Sequence, residues 1–313
     1  MSAGRKQSNT ISRTATLAEI DDLAGSVVAA AISEKTAQAY QRGLNQFREF
    51  CDIYKVPYTM PFSCQQVVRF ITFLFFLKRY AYATIQSMIS ALSYVHTLNN
   101  LQNLSESVLV KRALMGIRNL SVPTCKSIPM PKEVMEKVVI SADGTIQDSF
   151  KCGLFKAMTA LAFYGLLRVG EFTKSRNCLQ LRDILLSSDK VQITFRSFKH
   201  SHGESATINV LSVAENEVCP VLLLRQYLTC RGTSAGSLFQ YLDGTTPTRL
   251  DYWNWLASML HSCNIPGKFS THSLRKGGAS HMALMGYTEE QIRLHGRWHS
   301  DAYKKYICGN NFL

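Results

Sequence analysis

The stretch Asn119 to Lys132 constrains this chain more firmly than any other feature. Pro123, Pro129 and Pro131 fall within it, and it carries neither helical nor strand periodicity. Proline fixes φ and has no amide donor, so a helix or a sheet ladder does not run through such a segment. The 313 residues therefore read as two domains, each long enough to build its own core. The expected layout is a loose tail over residues 1–25, a helical domain over 26–122, a linker over 123–131 and a larger domain over 132–313.

Before the break the periodicity is helical. Ala37, Tyr40, Leu44, Phe47 and Cys51 recur on one helix face. Ser63 and Gln66 have capping-box spacing ahead of the apolar run Val67 to Leu77. Ile85, Met88, Ile89, Leu92 and Val95 mark a third helix, and Val110, Leu114 and Ile117 a fourth. This predicts a bundle of four or five helices. After the break the pattern is mixed. Helices are expected near 132–141 and 148–168, then strands at Asp183 to Leu186, Val191 to Arg196 and Ala206 to Leu211. Ser187 to Lys190 and His200 to Gly203 would supply the turns of a small antiparallel sheet. Helices resume near 219–231, 250–263 and 273–285, with Gly286 suited to the position past a helix end. Thr288 and Gln291 make another capping box, and Asp301 would cap a last short helix through Tyr306.

Charge narrows the function. Lys and Arg number 35 against 22 Asp and Glu, a net +13, and 46% of residues are hydrophobic. The charge thus belongs to folded domains rather than a disordered basic tail, and an acidic enzyme or scaffold is a poor reading. Residues 1–128 carry a net +7 and the remainder +6. Two positive lobes joined by a linker would suit a clamp around a polyanion. The nine cysteines show no CxxC pair and no His/Cys spacing typical of zinc sites, which reads as reduced thiols, with no metal and no cofactor expected. The most apolar run, Val67 to Leu77, is interrupted by Arg69 and falls short of the roughly 20 residues of a membrane span. Met1 to Arg13 has no apolar core of a secretory leader. These features predict no membrane partner, with a nuclear location in a eukaryote and a cytoplasmic one otherwise.

Four pieces of the second half suit phosphate chemistry. In Gly165-Leu166-Leu167-Arg168-Val169-Gly170-Glu171, a long apolar helix ends in Arg168, and Glu171 three residues on can orient its guanidinium. By itself such a pair is most often a surface ion pair of little worth. In Thr271-His272-Ser273-Leu274-Arg275-Lys276-Gly277-Gly278-Ala279, His272 and Arg275 share a face at a helix start, where free amides favour anions. The small residues that follow allow close packing. Lys199 stands at an expected hairpin tip, where a lone lysine is ordinarily a solvated charge. Last comes Gly296-Arg297-Trp298-His299-Ser300-Asp301-Ala302-Tyr303-Lys304-Lys305-Tyr306-Ile307, whose tyrosines taken singly would be structural.

Taken together, the order Arg168, Lys199, His272, Arg275, Trp298, Tyr306 resembles the tyrosine recombinase (lambda-integrase-like) pattern. The wording around Trp298 and Tyr306 is similar to recombinases of crypton and DIRS-like mobile elements. The resemblance spans about residues 30–310. It implies an N-terminal helical core-binding (SAM-like) bundle and an α+β catalytic domain: a mainly α fold with a small antiparallel β-sheet. It also implies double-stranded DNA as partner, self-association as a tetramer on paired sites, and strand exchange without metal or nucleotide. Tyr306 would attack the scissile phosphate, forming a 3′-phosphotyrosyl link. Arg168 and Arg275 would grip the phosphate bidentately, and His272 would donate to it or manage the tyrosine proton. Trp298 would stand where a His is often found, Lys199 would be the general acid, and Glu171 would orient Arg168. Tyr303 is the alternative nucleophile, five residues after Trp298 where Tyr306 lies eight after, and Lys190 the alternative lysine. Two rival readings stay open: a domesticated, non-cleaving DNA-binding protein on the same fold, and a type IB topoisomerase.

Overall fold

Among the described residues, short polar side chains cap half of the α-helices, and apolar stripes then fasten them. The computed structural model describes residues 15–121, 127–196, 204–213 and 218–304. The chain divides into two units, residues 1–124 and 125–313.

In the first unit α1 (Leu17–Ala29) begins at Thr16. The Thr16 hydroxyl accepts from the Glu19 amide, and the Glu19 carboxylate accepts from the Thr16 amide. Residues 17–25 are therefore helical where a loose tail was expected. The Thr-x-x-Glu signal suffices to start the helix, although none of its residues is buried. Next come α2 (Glu34–Tyr54), α3 (Cys64–Thr72), α4 (Tyr82–Leu98) and α5 (Val108–Leu120). The expected Ser63–Gln66 box does cap α3, which runs on as a π-helical turn, Phe73–Leu77. The core is aromatic. Phe47 meets Phe62 at 4.8 Å and Phe70 at 5.0 Å between centroids, both edge-on, the geometry that ring quadrupoles favour. Val67, Leu74, Ile85, Ile89, Leu92 and Val110 close around them. On α2 the buried stripe is Gly43, Phe47, Phe50 and Cys51, so the expected face holds at its C-terminal end while Ala37 stays exposed.

The second unit is built around α7 (Ser149–Tyr164). Ten of its residues, Cys152 and Leu154 to Phe163 with the exception of Lys156, are buried. A helix apolar on all sides must be covered on all sides. It is flanked by α6 (Lys132–Thr145), α9 (Pro220–Arg231) and α11 (Ser273–Leu284). The sheet is a three-stranded antiparallel meander: β1 (Ile184–Leu186), β2 (Lys190–Phe195) and β3 (Ala206–Leu211). Val191, Ile193 and Phe195 of the central strand alternate inward, as a half-buried strand requires. Pairing of Lys190 with Leu211 and Phe195 with Ala206 sets the register. The expected turn at Ser187 to Lys190 is present, with the Ser187 amide donating to the Lys190 carbonyl at 3.0 Å. The expected turn at His200 to Gly203 lies outside the described residues. The α10 helix (Arg249–Ser262) and α12 (Glu289–Gly296) complete the unit, and the Thr288–Gln291 box caps α12 as expected.

The stretch expected as linker is partly anchored. Residues 122–126 lie outside the described residues, but Ile128 donates to the Lys268 carbonyl and Met130 to the Ser273 carbonyl, each at 3.0 Å. Met130 is fully buried. The Ile128 and Met130 amides and the buried Met130 side chain attach residues 128 and 130 to the second unit. Among the described residues no helix is long and apolar enough to cross a membrane.

Candidate functional site

The site begins where α7 stops. The helix ends at Tyr164, Gly165 caps it, and Leu166 turns the chain with φ +47°. Arg168 was expected at the end of this helix. It stands instead at the N-cap of a separate short helix, α8 (Val169–Phe172). The reason is local. Glu171 accepts from the Arg168 amide at 2.7 Å and from Arg168 Nη1 at 3.1 Å, which closes a new helical turn. The same contacts hold Glu171 against the Arg168 guanidinium. Glu171 is buried, while the Arg168 side chain keeps 26% of its surface exposed.

His272 caps α11, and Arg275 lies one turn in. The helix approaches the end of α7 as closely as its glycines permit. A Cβ on Gly278 would stand 2.1 Å from the Phe163 carbonyl oxygen, and one on Gly277 1.8 Å from that of Met130. This approach drives Arg275 under the Leu166 loop. Its Nη1 donates to the Leu166 carbonyl and its Nη2 to that of Gly296. Arg275 is only 1% exposed, and its guanidinium stacks 4.2 Å from the Trp298 ring centroid. The bidentate phosphate grip expected of Arg275 is therefore not available in this arrangement. Buried loop carbonyls need donors, and Arg275 supplies them. The outward guanidinium is that of Arg168.

The third strand of the site is the segment after α12. Arg297 has a left-handed backbone (φ +55°) and a buried side chain. Its Nη2 donates to Glu171 Oε2 at 2.8 Å and to the Leu166 carbonyl at 3.4 Å, and its guanidinium lies 3.6 Å from the Phe195 ring centroid. Its carbonyl accepts from Arg168 Nη2 at 3.3 Å. One carboxylate, Glu171, thus serves two arginines. Trp298 stacks on Arg275, and only a glycine at 296 allows it, since a Cβ there would stand 1.7 Å from the Trp298 ring. Nothing in the sequence around Arg297 predicts a role for it. Its partners lie 126 and 131 residues away, and no periodicity links such positions.

Two expected residues, Lys199 and Tyr306, lie outside the described residues. The strands still orient the alternatives. Phe195 closes β2 against Arg297, so the β2 end leading into residues 197–203 is the one beside the site. Lys190, five residues back, is about 17 Å away along an extended strand. Tyr303 is 3% exposed and donates to Glu289 Oε2 at 3.2 Å, with its ring 5.9 Å from that of Trp298. Desolvation, then the bond to Glu289, raises its phenol above the usual range. The last turn, Asp301–Tyr303, is capped by the backbone at Ser300, and Asp301 is its first residue instead of its cap.

Positive potential dominates. The His272 imidazole is lowered to about 4, by desolvation first and then by the charges of Arg275, Lys276, Arg168 and Arg249. Its residue surface nonetheless opens to solvent, as a group that meets a ligand must. Arg297 is lowered to about 10, chiefly by burial and further by Arg168, with Glu171 opposing. Among the described residues, no group of three or more His, Cys, Asp or Glu side chains is placed to hold a metal. The chemistry available is anion binding beside a neutral imidazole.

A helical first unit, then a mainly helical second unit with a small three-stranded antiparallel sheet, matches the fold of the tyrosine recombinases and integrases. Three solved structures share it. The Tn1549 transposon integrase in complex with transposon right end DNA superposes with a TM-score of 0.64 at 12% identity, over 90% of each chain. The lambda integrase dimer bound to a COC′ core site gives 0.63 at 14%, covering 96% of this chain and 79% of that one. XerH site-specific recombinase bound to difH substrate, a pre-cleavage complex, gives 0.62 at 13%, covering 88% and 76%. No protein-family model and no curated protein matches the sequence.

Proposed function

We propose that this protein breaks and rejoins double-stranded DNA as a site-specific recombinase or integrase of a mobile element, through a 3′-phosphotyrosyl intermediate. The observation that carries the reading is the convergence of Arg168, His272, Arg275 and Trp298, from three separate segments, on the end of α7 within this fold.

Tyr306 is the nucleophile. Its oxygen bonds to the scissile phosphorus as the bond to the 5′-oxygen breaks. A phenol with an ordinary pKa of about 10 needs its proton accepted and the phosphate's charge met. His272, neutral at ordinary pH, accepts that proton. Arg168 holds a non-bridging oxygen, and Glu171 keeps its fork in place. Arg275 adds charge from beneath, held by the Leu166 and Gly296 carbonyls. Lys199 gives its proton to the leaving 5′-oxygen. The reverse sequence, with a 5′-hydroxyl of a second strand attacking the phosphotyrosine, completes the exchange. Tyr303 is committed to Glu289, which favours Tyr306. We further propose that the helical domain over residues 26–122 grips DNA, and that four copies assemble on paired sites.

Nicked suicide duplexes carrying candidate element ends test this. A covalent adduct lost in Tyr306→Phe and kept in Tyr303→Phe is expected. An adduct that survives Tyr306→Phe overturns the nucleophile. The absence of any adduct, with duplex binding intact, favours a non-cleaving DNA-binding protein on this fold. Relaxation of supercoiled DNA without exchange favours a topoisomerase.

A further inference from the structure

We propose that Arg297 is a positioning residue of this site, tying the segment that precedes Tyr306 to the outward-facing Arg168 and the buried Arg275; the proposal rests on the strand-exchange reading above.

Arg297 is buried, yet its Nε and Nη1 have no hydrogen-bond partner among the described residues. A guanidinium left partly unpaired in a low-dielectric interior is unfavourable, so a merely structural ion pair is a poor use of it. What Arg297 does hold is specific. Nη2 draws Glu171 Oε2 inward, and the same carboxylate, through Oε1, fixes Arg168 Nη1. Its own carbonyl takes Arg168 Nη2 from the other side. Arg168 is thereby gripped at both terminal nitrogens by groups that Arg297 places. Arg275 is held by the neighbours of Arg297: the Gly296 carbonyl and the Trp298 ring. Phe195 covers the guanidinium face and keeps water from it. The cluster therefore has three guanidiniums and one carboxylate, an excess of positive charge beside the outward-facing Arg168. Arg168 and Arg275 both depend on residues 296–298, and these lead directly to the tyrosines. Docking of that segment and alignment of the arginines become a single event.

The test uses the full chain and its Arg297→Lys, Arg297→Met and Phe195→Leu variants. Three quantities are read: affinity for a nicked suicide duplex, the single-turnover rate of adduct formation, and the NMR signals of the Arg168 terminal guanidinium protons. For Arg297→Met the adduct rate is expected to fall about 10²-fold while affinity changes less than about threefold, because a misplaced charge harms the transition state more than it harms duplex binding. Separate Arg168 signals in the unaltered protein should merge as rotation about its guanidinium is freed. Arg297→Lys, which keeps one bond to Glu171, should fall between, and Phe195→Leu should move both readouts less but in the same direction. Equal losses of affinity and rate, or Arg168 signals unchanged in a folded Arg297→Met, would overturn the proposal. Should Arg297→Met fail to fold, the other two variants decide by the same criteria. If the unaltered protein forms no adduct, the strand-exchange reading fails, whereas the Arg168 signals still decide the positioning.

Discussion

At the scale of single residues, space and charge make opposite kinds of demand. Gly278 and Gly153 both stand inside helices, but a Cβ on Gly278 would meet the Phe163 carbonyl oxygen at 2.1 Å, whereas one on Gly153 meets nothing within 4 Å. Urea denaturation should therefore show Gly278→Ala losing about 1–3 kcal/mol or more. Gly153→Ala should gain about 0.5–1 kcal/mol from reduced unfolded-state freedom. His272 makes the charge demand. Its folded pKa of about 4 lies below the ordinary value of 6.5, and His281 and His295 are lowered too, each by desolvation first. The unfolded chain thus binds protons that the folded chain refuses, so stability present above pH 6.5 is lost as the pH falls toward 4. Melting temperature against pH should decline over that window, and less steeply in His272→Gln. A bound duplex reverses the pressure, since phosphate favours imidazolium. An NMR titration should find the His272 pKa raised by DNA, and an unmoved value would remove His272 from the phosphate site.

At the scale of elements, caps decide where helices start and burial decides what they are worth. The α1 helix has a complete capping box and buries no residue, with Ile20 49% and Leu23 62% exposed. Ile20→Gln and Leu23→Gln should each change stability by no more than about 0.5 kcal/mol. In β2, Ile193 is fully buried at the centre of the sheet, and Ile193→Ala should cost about 2–5 kcal/mol by the same denaturation measurement. The strand matters beyond its stability, because Phe195 at its end covers Arg297. The α8 turn was invisible in sequence as a separate helix. Arg168 and Glu171 are spaced as well for one long helix as for a cap on a second, and it took the left-handed Leu166 to choose.

At the scale of the whole molecule, each unit has its own core, with Phe47, Phe70 and Leu92 in the first and Phe155, Phe163 and Val191 in the second. Phe70→Ala should cost its unit about 3–5 kcal/mol. Hydrogen exchange should quicken over residues 34–120 and leave 132–296 nearly unchanged; uniform quickening would show a single cooperative core. Both halves of the sequence are positive, at +7 and +6. Duplex affinity should accordingly fall linearly in log–log with salt, at a slope of about −0.9 per phosphate neutralised. A salt-insensitive affinity would argue against a backbone grip.

The sequence by itself determined the local structure: the caps at Ser63 and Thr288, the helix faces, the three strands within a residue of their ends, and the chain order of the chemically suited side chains. These depend on neighbours a few residues apart, and period and cap chemistry are written at that range. The sequence also supplied the resemblance that the fold bears out. Tertiary structure alone decided that Arg275 faces inward, that Trp298 stacks on it, that Tyr303 is bound to Glu289, and that Arg297 shares Glu171 with Arg168. The physical reason is that buried carbonyls and carboxylates take whichever donors the packing delivers. Here the glycine-lined approach of α11 to the end of α7 delivers arginines from segments more than a hundred residues apart.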